Sequence, residues 1–313
     1  MGSQKKILVL CGGKFALQSL QLLGYEKFLV GIGIGKGATA ITDSLESECE
    51  ESSIAFMSFI DAKSMRHMRS WLDHVRPDYI FSISFPFLIP EEALAYGVEK
   101  FINFHPGPLP SYRGPMPIFE VLRNQEKETA ICAHFMSSEF DRGAIIFNDP
   151  VAISEGETYG SLAVKLSERT ATVALNMANM LEFATQIPSR PQDESRSRYY
   201  EKPLLVDTYV NWKRMEATEI IALINACNPW NMGADAVLLN EQVKIINASA
   251  APSMHQLPPG TILSFTETLN IACEEGMQLK IELLCTDAGI MTAEKYAMLK
   301  KIPKESLSQS GQI

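Results

Sequence analysis

The stretch Lys6-Ile7-Leu8-Val9-Leu10-Cys11-Gly12-Gly13 decides the fold class of this chain. Its apolar residues form a short continuous run, which is typical of a strand buried on both faces of a parallel sheet. Two glycines end the run, and a helical stripe of apolar residues follows at Phe15, Leu17, Leu20, Leu22 and Leu23. The order of strand, glycine turn and helix predicts the first unit of a crossover fold.

The same alternation continues through the first half of the chain. Further strands are predicted at 28–34, 54–59, 79–84, 101–104, 129–136 and 144–153, and a long helix at 159–185. Because strands that alternate with helices need crossover connections, the pattern predicts an α/β domain with a doubly wound, mostly parallel, Rossmann-like sheet.

The second half has a different character. Residues 187–204 are rich in Pro, Ser, Arg, Gln and Asp, which is typical of a linker. We therefore predict a first domain over 1–186, a linker over 187–204 and a second domain over 205–313. After a helix at 217–227, short strands are separated by turn signals, and a helix at 291–301 ends the pattern. Such strands predict a small OB-like β-barrel.

Composition excludes several classes of protein. No apolar run of the 313 residues approaches the roughly 20 that cross a membrane. The six cysteines are scattered without a CxxC pair, so neither a metal site nor a disulfide scaffold is predicted. Such scattered cysteines are typical of reduced thiols, and we therefore predict a cytoplasmic protein. The formal charge of −9 argues mildly against a large nucleic-acid footprint.

Gly12-Gly13 suggests a dinucleotide site, but the rest of the pattern is missing. Lys14, Phe15 and Ala16 follow, so the G-x-G-x-x-G fingerprint is absent. We interpret the two glycines as a tight strand-to-helix turn and predict no NAD or FAD.

The stretch 103–114, NFHPGPLPSYRG, is the main candidate for chemistry. It follows the fifth predicted strand, at the sheet edge where open α/β folds bind ligands. Asn103 and His105 are two apart on an extended chain, so they point to the same side. An amide and an imidazole held by prolines and glycines favour transition-state stabilisation over simple capping of the strand. The other histidines, His134 among them, are interpreted as structural or solvent-facing.

Asp141 lies in the turn Asp141-Arg142-Gly143 between two predicted strands. The preference of Asp and Gly for turns is enough to explain an Asp two residues before a Gly. Next to His105 in space, the same carboxylate would orient and polarise the imidazole.

These motifs together resemble the formyltransferase superfamily that uses 10-formyltetrahydrofolate. The resemblance rests on Asn103-x-His105, on Leu109-Pro110-x-Tyr112-Arg113-Gly114-x-x-Pro117-Ile118 and on Asp141-x-Gly143. The second half, with Trp212, Asn228-Pro229-Trp230, Gly233-Ala234 and Pro259-Gly260-Thr261, is similar to the C-terminal barrel of methionyl-tRNA formyltransferases. Related domains occur in aminosugar formyltransferases, so the motifs specify the superfamily and not the acceptor.

The resemblance implies roles for individual residues. An acceptor amine would attack the formyl carbon of 10-formyltetrahydrofolate, Asn103 and protonated His105 would stabilise the tetrahedral intermediate, and Asp141 would assist proton removal. Folate contacts are implied for Phe85, Phe87, Leu88, Ile89, Leu109, Pro110 and Asp141, although a core role for the apolar loop 85–90 is about as favoured from the residues alone. Acceptor contacts are assigned to Gly13, Lys36, Arg113 and Met116, and no metal is implied.

Charge bears on which amine is the acceptor. Methionyl-tRNA formyltransferases carry a basic loop after the second strand, whereas residues 35–43 here include one basic residue and acids follow. Residues 205–313 hold 8 Lys and Arg against 12 Asp and Glu, and Gly107 stands where the tRNA enzymes usually have Ser. Because phosphate contacts dominate tRNA affinity, we predict a small-molecule or carrier-bound amine. Methionyl-tRNA stays the alternative, followed by a non-catalytic folate-binding module or a formyl-folate hydrolase.

Overall fold

The chain divides into two compact units. The computed structural model describes residues 4–35 and 39–302. The first unit comprises 4–35, 39–117, 128–152 and 163–201, and the second comprises 118–127, 153–162 and 202–302. The predicted division into 1–186, 187–204 and 205–313 stays a prediction, but residues 187–201 belong to the first unit.

One seven-stranded sheet forms the centre of the first unit. Its strands are β1 Ile7–Cys11, β2 Leu29–Gly35, β3 Ala55–Phe59, β4 Tyr79–Ile83, β5 Phe101–His105, β6 Glu128–Phe135 and β7 Ile145–Ala152. The order is β3-β2-β1-β4-β5-β6-β7, with the first five strands parallel and the last two antiparallel. The predicted doubly wound, mostly parallel fold is confirmed. Every residue of β1 is buried, as its unbroken apolar run predicts.

Helices connect these strands. They are α1 Leu17–Tyr25, α2 Thr39–Ser52, α3 Met68–Val75, α4 Glu91–Leu94, α5 Pro117–Arg123 and α6 Tyr159–Phe183. The long helix α6 was predicted nearly in full, whereas α2 has too few apolar residues to show a clear stripe in the sequence. In the described part of the chain, no helix is both long and apolar enough to cross a membrane.

The second unit contains an antiparallel sheet of six strands. They are β8 Ala234–Leu238, β9 Glu241–Pro252, β10 Ile262–Phe265, β11 Leu269–Ala272, β12 Met277–Thr286 and β13 Gly289–Thr292. The path runs β10-β11-β12-β9-β8, and β13 pairs with β12. The helices α7 Ala217–Cys227 and α8 Ala293–Leu299 also belong to this unit, as do residues 118–123 of α5 and 159–162 of α6. A separate antiparallel domain agrees with the predicted small barrel.

The end of the second unit differs from the sequence prediction. A helix was predicted from residue 291, but Met291 lies in β13 and pairs with Leu284 of β12. Helix α8 begins only after Thr292, whose side-chain oxygen accepts a hydrogen bond from Lys295 N at 3.3 Å. The threonine cap therefore sets the start of the helix, and strand pairing occupies the residues before it.

Candidate active site

The candidate site lies where β1, β4 and β5 end, at the carboxyl edge of the parallel strands. Gly12 comes directly after β1 and lies close to the backbone of Ser84. A Cβ at Gly12 would overlap the Ser84 carbonyl. Gly13 adopts a φ of 105°, a value that side chains disfavour. These glycines therefore form the tight turn that the sequence predicts, and they bring the loop after β4 next to the end of β1.

Asn103 is the first polar group of the cluster. It lies in β5 directly opposite His134 of β6, and its Nδ2 is 3.0 Å from His134 Nε2. His134 Nδ1 lies 2.7 Å from the Phe135 carbonyl, which only accepts, so Nδ1 carries a proton. In the neutral ring Nε2 is then the acceptor for the Asn103 amide. An amide has two N–H donors, and no described residue accepts the second.

His105 lies two residues further along β5 and is 4% exposed. Its Nε2 donates to the Tyr112 carbonyl at 2.7 Å, and its Nδ1 lies 3.5 Å from Asp141 Oδ1. Both neighbours favour the charged imidazolium, but burial outweighs them and lowers the pKa of His105 below its ordinary value. The ring therefore rests neutral at pH 7, beside two acceptors that stabilise it once it is protonated.

Asp141 faces both histidines from the turn between β6 and β7. Its Oδ1 is 3.7 Å from His134 Nε2, and its Oδ2 accepts a hydrogen bond from Gly114 N at 3.0 Å. Burial raises the pKa of the Asp141 carboxyl, but His105, His134 and the Gly114 N–H together hold it below its usual range. The carboxylate is thus ionised at neutral pH although little of it reaches solvent. Asn103, His105 and Asp141 are brought together as the sequence suggests.

The sequence analysis did not connect His134 with the candidate site. Of its two interpretations, the solvent-facing one is wrong because His134 is 2% exposed, whereas a structural role is compatible with its contacts to Asn103 and Asp141. Strand register is the reason: antiparallel pairing places residues 103 and 134 directly opposite each other, with side chains on one face. An alternation analysis of β6 paired with β5 would have placed His134 on the face of Asn103.

The apolar loop after β4 divides between core and surface. Phe85 and Ile89 are buried in the core cluster around Phe59. Phe87 is half-buried against Phe85, and Leu88 is 42% exposed. The core interpretation therefore holds for two side chains of the loop, and the other two leave apolar surface at the end of β4.

Leu109 and Pro110 follow His105 in the loop after β5, and both are buried. The Leu109 side chain packs in a small cluster with Ala130, Cys132 and Ile145. Contact between this pair and a folate stays a prediction, as it does for the loop after β4.

The four residues assigned to the acceptor have different surroundings. Gly13 has open space where a Cβ would stand, and Met116 is half-buried. The Arg113 guanidinium is buried and bonded to side chains of its own unit, Gln192 and Glu194. Lys36 lies outside the described residues. Acceptor contacts of all four stay predictions.

Two family models match this chain. The family model described as formyl transferase matches residues 48–177, and the one described as formyl transferase, C-terminal domain, matches 206–300. The methionyl-tRNA formyltransferase of Xanthomonas euvesicatoria pv. vesicatoria is 29% identical over 221 residues, which are 70% of this chain and 71% of the relative.

Solved structures with a similar fold include a sugar formyl transferase and a protein in complex with a folate. The sugar 3N-formyl transferase WlaRD, determined in the presence of dTDP and 5-N-formyl-THF, has a TM-score of 0.66 and 18% identity, covering 90% of this chain and 98% of its own. HypX from Aquifex aeolicus in complex with tetrahydrofolic acid has a TM-score of 0.62 and 17% identity and covers 99% of this chain. This chain spans about half the length of HypX. At these identities the likeness shows the fold.

Proposed function

Because this chain belongs to the formyl transferase family, we propose that it transfers a formyl group from 10-formyltetrahydrofolate to the primary amine of a small-molecule or carrier-bound acceptor. The observation that carries the proposal is the cluster of Asn103, His105 and Asp141 at the carboxyl edge of the sheet. The enzyme is a formyl-transferring one, and the choice of acceptor is the proposed part.

Asn103 and His105 are suited to stabilise negative charge on the formyl oxygen. Both lie on one face of β5, so an oxygen between them meets an amide donor and an imidazole. A single donor of this kind is typically worth about 2.7–4 kcal/mol in the transition state. The Nε2–H of His105 is held by the Tyr112 carbonyl, so donation to the formyl oxygen requires that this bond be shared or exchanged.

The charge state of His105 is coupled to the reaction. Burial keeps the ring neutral at rest, and the ionised Asp141 lies 3.5 Å from Nδ1. Negative charge developing on the formyl oxygen adds to that of Asp141 and favours the imidazolium. The ring therefore takes up a proton from water at the stage where the positive charge is useful and returns it when the formyl carbonyl re-forms. Asp141 keeps the charged ring in place meanwhile.

Asp141 has a second role in handling the proton of the amine. Only the neutral amine can attack, and its nitrogen becomes strongly acidic once it is bonded to the formyl carbon. The low pKa of Asp141 makes it a weak base, so it accepts this proton only from such an acidic nitrogen, directly or through water. The proton would then pass to the folate nitrogen as its bond to the formyl carbon breaks, which releases tetrahydrofolate. Acceptors that arrive as ammonium ions must lose a proton first.

The apolar side chains of the loop after β4 are suited to contact a folate. When bound, 10-formyltetrahydrofolate supplies the electrophilic formyl carbon. Leu88 and Phe87 offer apolar surface to its flat ring system, with Phe85 and Ile89 anchoring the loop from the core. WlaRD was determined in the presence of 5-N-formyl-THF and HypX in complex with tetrahydrofolic acid, which supports a folate co-substrate for this chain.

Charge supports a small or carrier-bound acceptor over tRNA. Helix α2 has no basic residue and exposes five acids, Asp43, Glu46, Glu48, Glu50 and Glu51. The sequence from 205 to 313 has an excess of acids as well. Acidic surfaces repel the phosphates that dominate tRNA affinity. The sugar-acting WlaRD shares the fold and supports a small amine as acceptor.

Methionyl-tRNA is the second candidate because the curated relatives that match over about 70% of the chain are methionyl-tRNA formyltransferases. The decisive assay incubates the protein with 10-formyltetrahydrofolate and either a panel of aminosugars and carrier-bound amines or methionyl-tRNA, and follows release of tetrahydrofolate. We expect turnover with an amine of the panel. Turnover with methionyl-tRNA alone would refute the small-amine acceptor.

A salt series separates the two candidates independently. Binding of methionyl-tRNA is measured on filters at increasing salt concentration, because each phosphate contact lowers the logarithm of affinity by about 0.7–0.9 per decade of salt. We expect weak binding with a shallow slope. A steep slope with tight binding at low salt favours the tRNA candidate.

The variant His105→Ala tests the two alternatives in which no amine is formylated, a folate-binding module and a formyl-folate hydrolase. Loss of transfer with folate binding retained supports the proposed chemistry, and undiminished turnover contradicts it. If the wild-type protein binds folate and nothing reacts, the chain is a folate-binding module. Formate release without an acceptor would instead identify a formyl-folate hydrolase.

A further inference from the structure

A strap, defined as residues 190–200, lies within the segment that the sequence predicts as a linker. Its backbone is bonded to the loop after β5 and to β7. Arg190 exchanges two backbone hydrogen bonds with Ile145, Arg198 N donates to Pro110 O at 3.1 Å, and Arg113 N donates to Arg198 O at 3.0 Å. A flexible connection would not be bonded in this way. The strap is an ordered part of the first unit.

Gln192 of the strap reaches the turn that carries Asp141. Its Nε2 donates to Asp141 O at 2.7 Å and to Gly143 O at 2.8 Å, which uses both hydrogens of the amide. Its Oε1 accepts from Arg113 Nε at 3.1 Å and from Arg113 Nη2 at 2.7 Å. One side chain therefore joins the backbone on both ends of the catalytic turn to the loop after β5.

The chemistry of these partners determines the orientation of the Gln192 amide. A guanidinium only donates and a backbone carbonyl only accepts, so Oε1 must face Arg113 and the NH₂ group must face residues 141 and 143. Arg113 is itself fixed by Glu194, with Nη1 and Nη2 at 3.0 and 2.6 Å from its two carboxylate oxygens. Hydrogen bonding to Arg113 holds the pKa of Glu194 at about 2, so the carboxylate is ionised.

The turn needs support from outside because its backbone is unusual. Asp141 has a φ of 57°, in the left-handed region that residues other than Gly rarely adopt. Gly143 passes so close to the Phe135 carbonyl that any side chain there would overlap it. The Gly114 N–H fixes the carboxylate of Asp141, whereas Gln192 fixes the backbone behind it.

We propose that Gln192 is a positioning residue for Asp141, anchored by Arg113 and Glu194, so that the strap is part of the active site. The inference rests on the proposed function for the catalytic role of Asp141. Gln192 acts through Asp141 and makes no contact with the reacting groups. It places the carboxylate within reach of His105.

Two substitutions separate positioning from simple anchoring of the strap. Gln192→Leu removes every bond of the amide. Gln192→Glu keeps an acceptor for Arg113 but turns a carboxylate oxygen toward the two carbonyls, so it loses both donors. If Gln192 only anchored the strap, the Glu variant would be tolerated. We expect both variants to lower kcat by about 10- to 100-fold, the usual effect of misplacing a catalytic group by about 1 Å, while KM for the folate changes less than about threefold.

The readout that does not depend on activity is the titration of His105, followed by NMR of ¹³C-labelled histidine and assigned with His105→Gln. His105 is surrounded by Asp141, His134, Cys132 and the Tyr112 carbonyl. Asp141 raises its pKa the most, followed by the hydrogen bond to the Tyr112 carbonyl. A displaced Asp141 should therefore lower the titration midpoint in Gln192→Leu. Gln192→Glu adds a negative charge of its own, so its effect is measured by kcat alone.

Gln186→Leu is the matched control, since Gln186 is exposed and precedes the strap. We expect it to match the wild type in kcat and in the His105 midpoint. An unchanged midpoint in Gln192→Leu, or a normal kcat in Gln192→Glu, overturns the positioning role. A shifted midpoint in a protein that formylates no acceptor upholds the positioning role and refutes the proposed function.

Discussion

Replacing Asp141 with Asn removes the negative charge beside His105 and changes little else. Asn keeps an oxygen for the Gly114 N–H, and it tolerates the left-handed backbone at this position. The distance from Asp141 Oδ1 to His105 Nδ1 is 3.5 Å, and both side chains are at least 90% buried. The variant therefore tests the electrostatic link between the two residues.

The expected size of the effect follows from that distance. Unit charges 3.5 Å apart attract by about 5 kcal/mol at an effective dielectric constant of about 20. Opposite charges at such distances usually shift a pKa by about 1–3 units, equivalent to about 1.4–4 kcal/mol. A shift of about two units lowers the fraction of imidazolium about 100-fold. We expect kcat of Asp141→Asn to fall by about that factor and the His105 midpoint to move down.

The assay combines steady-state kinetics with the histidine NMR titration. Asp287→Asn is the control, because Asp287 is exposed in the turn between β12 and β13 and belongs to the second unit. A kcat within about threefold of wild type would refute the reasoning outright. A large loss of kcat with an unmoved His105 midpoint would show that Asp141 acts only on the proton of the amine, and the electrostatic link would be wrong.

Three further predictions concern His134, Gly107 and acid stability. His134→Leu leaves the half-buried Asn103 amide without its acceptor, so kcat should fall about 10-fold or more, whereas His74→Leu, at an exposed position, should stay normal. Equal kinetics of the two variants would contradict a role of His134 in the site. Gly107→Ala places a methyl 2.7 Å from Pro117 Cβ and 3.1 Å from His105 Nε2. It should destabilise the protein by about 1–3 kcal/mol in urea unfolding and lower kcat, and Gly24→Ala, whose nearest neighbour is 3.8 Å away, should do neither. The pKa of His105 in the folded state is below its ordinary 6.5, so the unfolded state binds the proton first and stability should fall as pH drops below about 6.5. The lowered pKa of Asp141 should add a further loss of stability below about pH 4. Urea unfolding between pH 7.5 and 5 checks this, and a flat profile, or one unchanged by His105→Gln, would count against it.

The sequence was sufficient where the signal is local. The run at 6–13 shows a buried strand and its glycine turn within a few residues, because burial on both faces demands apolar side chains at every position. The spacing of Asn103 and His105 also settles that they share one face of a strand. The motifs around them were enough to indicate the family and its co-substrate.

Contacts between segments that are distant in the chain could not be predicted from the sequence. The composition of residues 187–204 is polar and resembles a linker, but its side chains satisfy backbone carbonyls and a buried guanidinium. Composition indicates how little apolar surface a segment can bury. It does not indicate which groups the polar atoms of the segment bond to.

The sequence by itself determined the α/β fold, the smaller β domain and the residue types that make formyl transfer chemically reasonable, since periodicity and motif spacing are properties of neighbouring residues. Only the tertiary structure decided that His134 faces Asn103 and that Gln192 supports Asp141. Strand register brings residue 134 opposite residue 103, and loop packing brings residue 192 to residue 141. Both depend on how chain segments far apart in sequence meet, because a hydrogen bond forms only where donor and acceptor come within about 3 Å.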